Sequence, residues 1–326
     1  MERESNMRKH LDCIIEIVHK PLKEKGEDAF AYDFEKESMQ TQAVFDGCGG
    51  AGSWEYPEYE DSTGAFIAAQ SMCKAYLKWF TNASPSLFLD ESKTKESFHN
   101  MAYNTLLELK NECAPMKIFG SLAKSFPCTA SIAIEIPSAD HLSVTVLNVG
   151  DSRVYYLTPK GGLVQLTVDD SEGEPDPLLS LRENAPMSDM LNADKPFQIK
   201  QHKLDLAYPC AIITATDGVF GYVRSPMDFE FILLDTIRQS NNYGMFEESF
   251  KHSIAERTGD DSTCIISFYG WGSFSTVKKA LKRRYEYISS IIDSLDKAMR
   301  KNDLDNTLDK VWKDYRKHAL YNEIQG

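Results

Sequence analysis

The chain has 326 residues, 42% of them hydrophobic and 26% charged, with a formal net charge of −13, enough for one large domain or two smaller ones. It contains no run of about 18 apolar residues to span a membrane, its charged opening MERESNMRKHLDC has no signal-type apolar stretch, and its acidity argues against nucleic acid as a partner. Seven scattered cysteines without a C-x-x-C pair argue against a disulfide or zinc framework and for reduced thiols in a cytoplasmic protein.

The first predicted elements are two short strands at 28–34 and 40–46, leading into the turn Asp46-Gly47-Cys48-Gly49-Gly50. Apolar residues at helical spacing predict helices over 63–82 and 94–113. From Cys128 the pattern becomes β, with strands TASIAIEI, LSVTVLNV, RVYYLT and LVQLT separated by turn residues at meander-like intervals. Residues 167–196 hold eight acids, two basic residues and four prolines, which reads as a long surface excursion or lid rather than core. Strands return at 197–204 and 210–217, helices at 226–239 and 244–257, and a last strand at 262–269. Strands and helices come in blocks rather than in strict alternation, which favours sheet-on-sheet packing with flanking helices (an α+β class) over a doubly wound parallel fold.

Beyond Gly270-Trp271-Gly272 the pattern is helical only. The 12 basic and eight acidic residues from Trp271 onward give that stretch +4, which leaves −17 on the first 270 residues. Two domains are therefore expected, 1–270 and a helical hairpin at 271–326. Val277, Leu281, Tyr285, Ile288, Ile292, Leu295 and Met299 form an apolar stripe on one helical face. Asn302 or Asp303 can cap a second helix, whose stripe is Leu304, Leu308, Val311, Trp312, Tyr315 and Ala319. Such a stripe needs burial, either on the chain's own body or against a partner or second copy, where the basic cluster Lys278, Lys279, Lys282, Arg283 and Arg284 would favour an acidic surface.

Acids recur at the predicted strand ends. Asp46 and Asp217 close strands, Glu27-Asp28 and Asp260-Asp261 open them, and Asp151 sits in the tight turn of NVGDSR. Strand ends of one sheet lie side by side, and carboxylates crowd there only if something offsets their repulsion. A divalent cation does so. With no convergent His or Cys, oxygen ligation selects magnesium or manganese over zinc.

Five short motifs in this order carry a resemblance: the Glu27-Asp28 pair, DGCGG at 46–50, TASIAI to LVQLT at 129–167, ITATDGVF at 213–220 and DDSTCIIS at 260–267. Over roughly residues 20–270 the chain resembles the metal-dependent type 2C serine/threonine protein phosphatases. The resemblance implies a four-layer α/β/β/α sandwich of two antiparallel sheets, with metals in a cleft at one edge. It implies that Asp46 bridges two Mn2+ or Mg2+ ions and that the Gly47 carbonyl ligates one of them. Glu27 would hold the second ion, and Asp217 and Asp260 the first. Asp28 would act directly or through water, and Asp151 would belong to a third, weaker site. The implied reaction is hydrolysis of phosphoserine or phosphothreonine in a phosphoprotein by a metal-bridged water attacking in line.

Two positions depart from the family pattern. Its DGHGG histidine, a candidate proton donor, is Cys48, whose ordinary pKa of about 8.5 suits neutral pH less well than imidazole near 6.5. Its phosphate-binding arginine is Lys23, which keeps the charge but not the bidentate fork. The alternative expectation is therefore a pseudophosphatase that binds metal or a partner with little turnover; an unrelated magnesium-binding hydrolase is a third reading.

Overall fold

The computed structural model describes residues 10–21, 26–35, 39–114, 123–173, 176–183 and 186–321. In chain order the strands are β1 (Leu11–His19), β2 (Ala29–Asp33), β3 (Gln40–Phe45), β4 (Glu55–Tyr56), β5 (Ser62–Thr63), β6 (Ala130–Pro137), β7 (His141–Val149), β8 (Arg153–Thr158), β9 (Gly162–Gln165), β10 (Lys200–Ala207), β11 (Cys210–Ala215) and β12 (Ser262–Tyr269). The helices are α1 (Gly64–Asn82), α2 (Glu91–Glu112), α3 (Pro177–Glu183), α4 (Asp217–Phe220), α5 (Pro226–Gln239), α6 (Tyr243–Ala255), α7 (Phe274–Met299) and α8 (Leu304–Ala319). Two five-stranded antiparallel sheets form, in the orders β1-β12-β11-β8-β9 and β10-β7-β6-β3-β2.

Period-2 alternation divides the apolar residues of each strand between two faces. In β3, Ala43 and Phe45 pack under α1 and α2 with Ile67, Met72, Phe98 and Leu106. Val144, Val146, Val154, Leu204 and Ile212 meet between the sheets. The outer face of the first sheet carries Ile15, Ile17, Ile213 and Ile266 against α5, α6, α7 and α8. The result is the α/β/β/α sandwich expected from the motifs. Among the described residues no helix is long and apolar enough to cross a membrane.

The seam between the sheets is partly polar. Glu135 is fully buried, accepting from the hydroxyls of Tyr269 and Ser267, and the Tyr269 hydroxyl also reaches Gln40 Oε1 at 2.6 Å.

Strand β1 corrects the sequence reading, which assigned no element there. Its run Cys13-Ile14-Ile15-Glu16-Ile17-Val18 pairs with β12 in antiparallel register from Cys13↔Phe268 to His19↔Ser262. The 167–196 stretch is corrected too. Rather than a solvent-facing excursion, it is anchored by buried Asp169, Asp170, Asp176, Leu178, Leu191 and Asn192. Its buried acids do not need water because basic side chains and backbone N–H groups meet them. Arg153 makes a two-pronged bond to Asp169 (3.0 and 2.6 Å), and Lys200 pairs with Asp170 at 2.6 Å.

The apolar stripe of the tail lies on the chain's own body. Val277, Leu281, Ile288 and Leu295 are buried in the core outside the first sheet, with Leu308, Trp312 and Tyr315 of α8 beside them, whereas Met299 is exposed. Helix α7 starts at Ser273, whose side chain accepts from Thr276 N–H, a standard N-cap. A polar joint locks the packing. Arg284 forks onto fully buried Glu230 of α5 (2.7 and 2.7 Å), which also accepts from the Tyr315 hydroxyl at 2.7 Å and from Leu163 N–H of β9 at 2.9 Å.

Candidate metal centre

Strand β3 ends at Phe45, and the next residues leave the sheet under tight backbone control. Asp46 exchanges bonds with Thr129, donating its N–H to Oγ1 at 3.3 Å and accepting from the Thr129 N–H at 2.8 Å. Gly47 then passes so close to α1 that an added Cβ would stand 2.7 Å from the Ala65 carbonyl oxygen; only glycine fits. From the other sheet β11 delivers Asp217 to the first turn of α4, where Gly218 touches the Asp261 backbone so closely that a Cβ would lie 1.8 Å from its oxygen. Two glycines thus let the ends of β3, β11 and β12 converge.

Glu27, Asp46, Gly47, Cys48, Asp151, Asp217 and Asp260 line one cavity of about 390 Å³, together with Asp261, Thr129, Met187 and Met190. Of the site residues named from the sequence, two are not in this lining. Asp28 is buried beneath it, its Oδ2 accepting from the Thr216 hydroxyl at 2.8 Å. Lys23 lies outside the described residues. The sequence gives Asp261 as a strand-end acid without a ligand role, and gives no role to Met187 or Met190. Asp261 was visible as the second acid of DDST, and its Oδ2 accepts the Glu27 N–H at 2.6 Å. Nothing local marked the two methionines.

Electrostatically the cleft is strained. Burial, followed by the charges of Asp28, Asp217 and Asp151, pushes Asp46 well above the usual carboxylate range. Asp151 is pushed up to about 8 by burial and then by Asp217 and Asp169. Asp28 rises to about 7 through burial, against the opposing hydrogen bonds from Thr216 and Thr263. Glu27 is raised by burial despite the Thr63 hydroxyl, and Asp217 by burial and then by Asp260. The half-buried Cys48 thiol is pushed well up, first by burial and then by Asp46. At neutral pH it is a protonated thiol.

Among the described residues no three His, Cys, Asp or Glu side chains stand close enough to hold one ion. The donor chemistry nevertheless fits divalent cations. The groups are oxygen donors, they raise one another's proton affinity as uncompensated charges do, and Asp151 Oδ1 is buried without a hydrogen-bond partner among the described residues. Hard ions take such oxygen-donor sets. The Gly47 carbonyl accepts from Gly49 N–H at 2.7 Å and keeps a second lone pair.

The family model for Protein phosphatase 2C matches residues 19–255. No curated protein matches the chain by sequence. Among solved structures, the serine/threonine phosphatase Stp1 from Staphylococcus aureus aligns with a TM-score of 0.59 at 15% identity, over 78% of this chain and 94% of that one. The PPM Ser-Thr phosphatase MsPP from Mycobacterium smegmatis, in complex with cacodylate, gives 0.54 at 15% over 79% and 98%. The catalytic domain of the serine threonine protein phosphatase PstP, in complex with two manganese ions, gives 0.51 at 13% over 80% and 98%. These likenesses show a shared fold, and with a family match that takes in the Asp46, Asp151 and Asp217 turns, the chain belongs to the protein phosphatase 2C family.

Proposed function

We propose that the chain is a metal-dependent serine/threonine protein phosphatase that takes two Mn2+ or Mg2+ ions in the 390 Å³ cavity. The observation that carries this reading is the convergence of Asp46, Asp151, Asp217, Asp260 and Glu27 on one cavity, where burial and neighbouring acids together raise Asp46 and Asp151. Asp46 would bridge the ions. Asp217 and Asp260 would complete one site, Glu27 and the Gly47 carbonyl the other, and Asp151 a third, weaker one. When bound, such ions neutralise phosphoryl oxygens and acidify water; PstP, of the same fold, holds two manganese ions. Asp28 would orient the site from beneath through Thr216, which also accepts Thr263 N–H at 2.9 Å. Lys23 would hold the substrate phosphate as a point charge. Cys48, a neutral thiol on the cavity wall, would give a proton to the leaving alkoxide. All seven cysteines are free thiols, which suits a reducing cytoplasm.

Cys48 also favours a second reading, a pseudophosphatase that keeps the ligands and binds metal or a partner with little turnover. One assay separates them: hydrolysis of p-nitrophenyl phosphate and of a phosphothreonine peptide with manganese or magnesium, beside Asp217→Asn and Asp260→Asn. Metal-dependent turnover lost in both variants supports the phosphatase. Full activity in chelator sinks the metal assignment, and metal binding without turnover by the parent establishes the pseudophosphatase.

A further inference from the structure

One wall of the cleft comes from the acidic segment that follows β9, and both of its inner ends are tied to the site. Asp170 exchanges bonds with Gly150, the neighbour of Asp151: its N–H reaches the Gly150 oxygen at 3.0 Å, and its Oδ2 accepts the Gly150 N–H at 2.9 Å. Leu191 pairs with Cys128 through two backbone bonds of 3.0 Å, next to the Thr129 that holds Asp46. Between these ties Met187 and Met190 face the cavity.

The outer end of the segment is held by the C-terminal helix. Buried Asp176 caps α3 by accepting the Leu178 N–H at 2.8 Å. Its other oxygen accepts the indole N–H of Trp312 at 3.0 Å and the Arg316 guanidinium at 2.6 Å. Leu178 lies in the same core as Trp312, Tyr315 and Ala319. The seam is closed, with only about 20 Å³ of cavity beneath α8, room for no more than one or two waters. Arg182 adds pairs to Asp309 at 2.8 Å and Asp305 at 3.3 Å, which are exposed and contribute little.

We propose that Asp176, Trp312 and Arg316 are positioning residues: through them α8 fixes the Met187–Met190 wall, so that the C-terminal helix sets the affinity of the cleft for a phosphoprotein. This rests on the phosphatase reading for its kinetic arm only. A small phosphate ester needs only the floor of the cleft, whereas a peptide also lies against the wall, so the clamp acts selectively on the larger substrate.

The test uses the full chain carrying Trp312→Phe with Arg316→Ala, and separately Asp176→Asn. The first pair removes the donors but keeps the ring; the second keeps the shape but removes the charge. The expected result is amide exchange at 176–183 and 186–193 at least about tenfold faster, with the sheets still protected. The KM for a phosphothreonine peptide should rise about three- to tenfold, with kcat and the p-nitrophenyl phosphate KM within about twofold, and Arg316→Lys should recover most of the loss. Unchanged exchange in this segment, or equal losses on both substrates, overturns the proposal. If the parent hydrolyses neither substrate, the phosphatase reading fails, and the clamp stands or falls on the exchange result.

Discussion

A fully buried carboxylate at the helical joint and the half-buried carboxylates of the cleft are treated by this chain in opposite ways. Glu230, at the joint of α5, α7, α8 and β9, meets a guanidinium fork, a phenol and a backbone N–H. Asp46, Asp151 and Asp217, at the sheet edge, have chiefly burial and one another's charge to raise them. A buried acid with matched donors is part of the scaffold. Half-buried acids crowded with their own kind raise one another's proton affinity, which a cation can relieve.

The comparison is broken most directly by Asp46→Asn. Turnover with saturating manganese should fall by about 100- to 1000-fold, while the thermal midpoint of the metal-free protein rises at neutral pH, because folding no longer has to protonate a carboxyl that the unfolded chain keeps ionised. A variant that is less stable without metal would place Asp46 among the scaffold acids instead. At the other set, Arg284→Ala leaves Glu230 buried without its fork. Urea unfolding should show a loss of about 3–5 kcal/mol, with manganese affinity by calorimetry unchanged. Little loss of stability would erase the contrast.

Smaller effects sharpen it. Cys48→His should raise kcat at neutral pH by about tenfold, since imidazole gives up its proton more readily there than a buried thiol; a flat response across pH removes this position from proton donation. Between the sheets, burial lifts Glu135 from 4.5 to about 8, against the donors Tyr269 and Ser267. Between those values the folded chain keeps a proton that the unfolded chain has released. Glu135 therefore makes stability fall as pH rises from about 4.5 to about 8. In Glu135→Gln that fall should flatten, which unfolding at pH 5, 6.5 and 8 would show as a gap to the parent that widens with pH.

What was legible in the sequence is what local chemistry writes. Helix α5 was visible because Ser225 caps it, Pro226 opens it and its apolar face repeats at helical spacing. The site was visible because each acid stands beside turn residues at a strand end. What was hidden depends on partners far along the chain. The acids at 169, 170 and 176 read as solvent-facing, since Arg153, Lys200 and Arg316 meet them only in the folded chain. Asp28 looked like a cavity residue because nothing near it announces Thr216, 188 residues on. Strand β1 escaped for the same reason: its register is set by β12, and the charged residues before it mask its alternation.

That pairing also has a consequence for how the protein is made. Asp12, in β1, accepts the N–H of Trp271, which follows it by 259 residues. At ribosomal speeds of about 5–20 residues per second, β1 waits on the order of ten to fifty seconds for its neighbour to be synthesised. The second sheet needs no residue beyond Ala207 for its strands, so it can assemble on the nascent chain while the Ile14–Val18 run is still a lone sticky edge, open to capture by a chaperone. A ribosome that stalls before Ser262 would release half a sandwich with its first strand unclaimed.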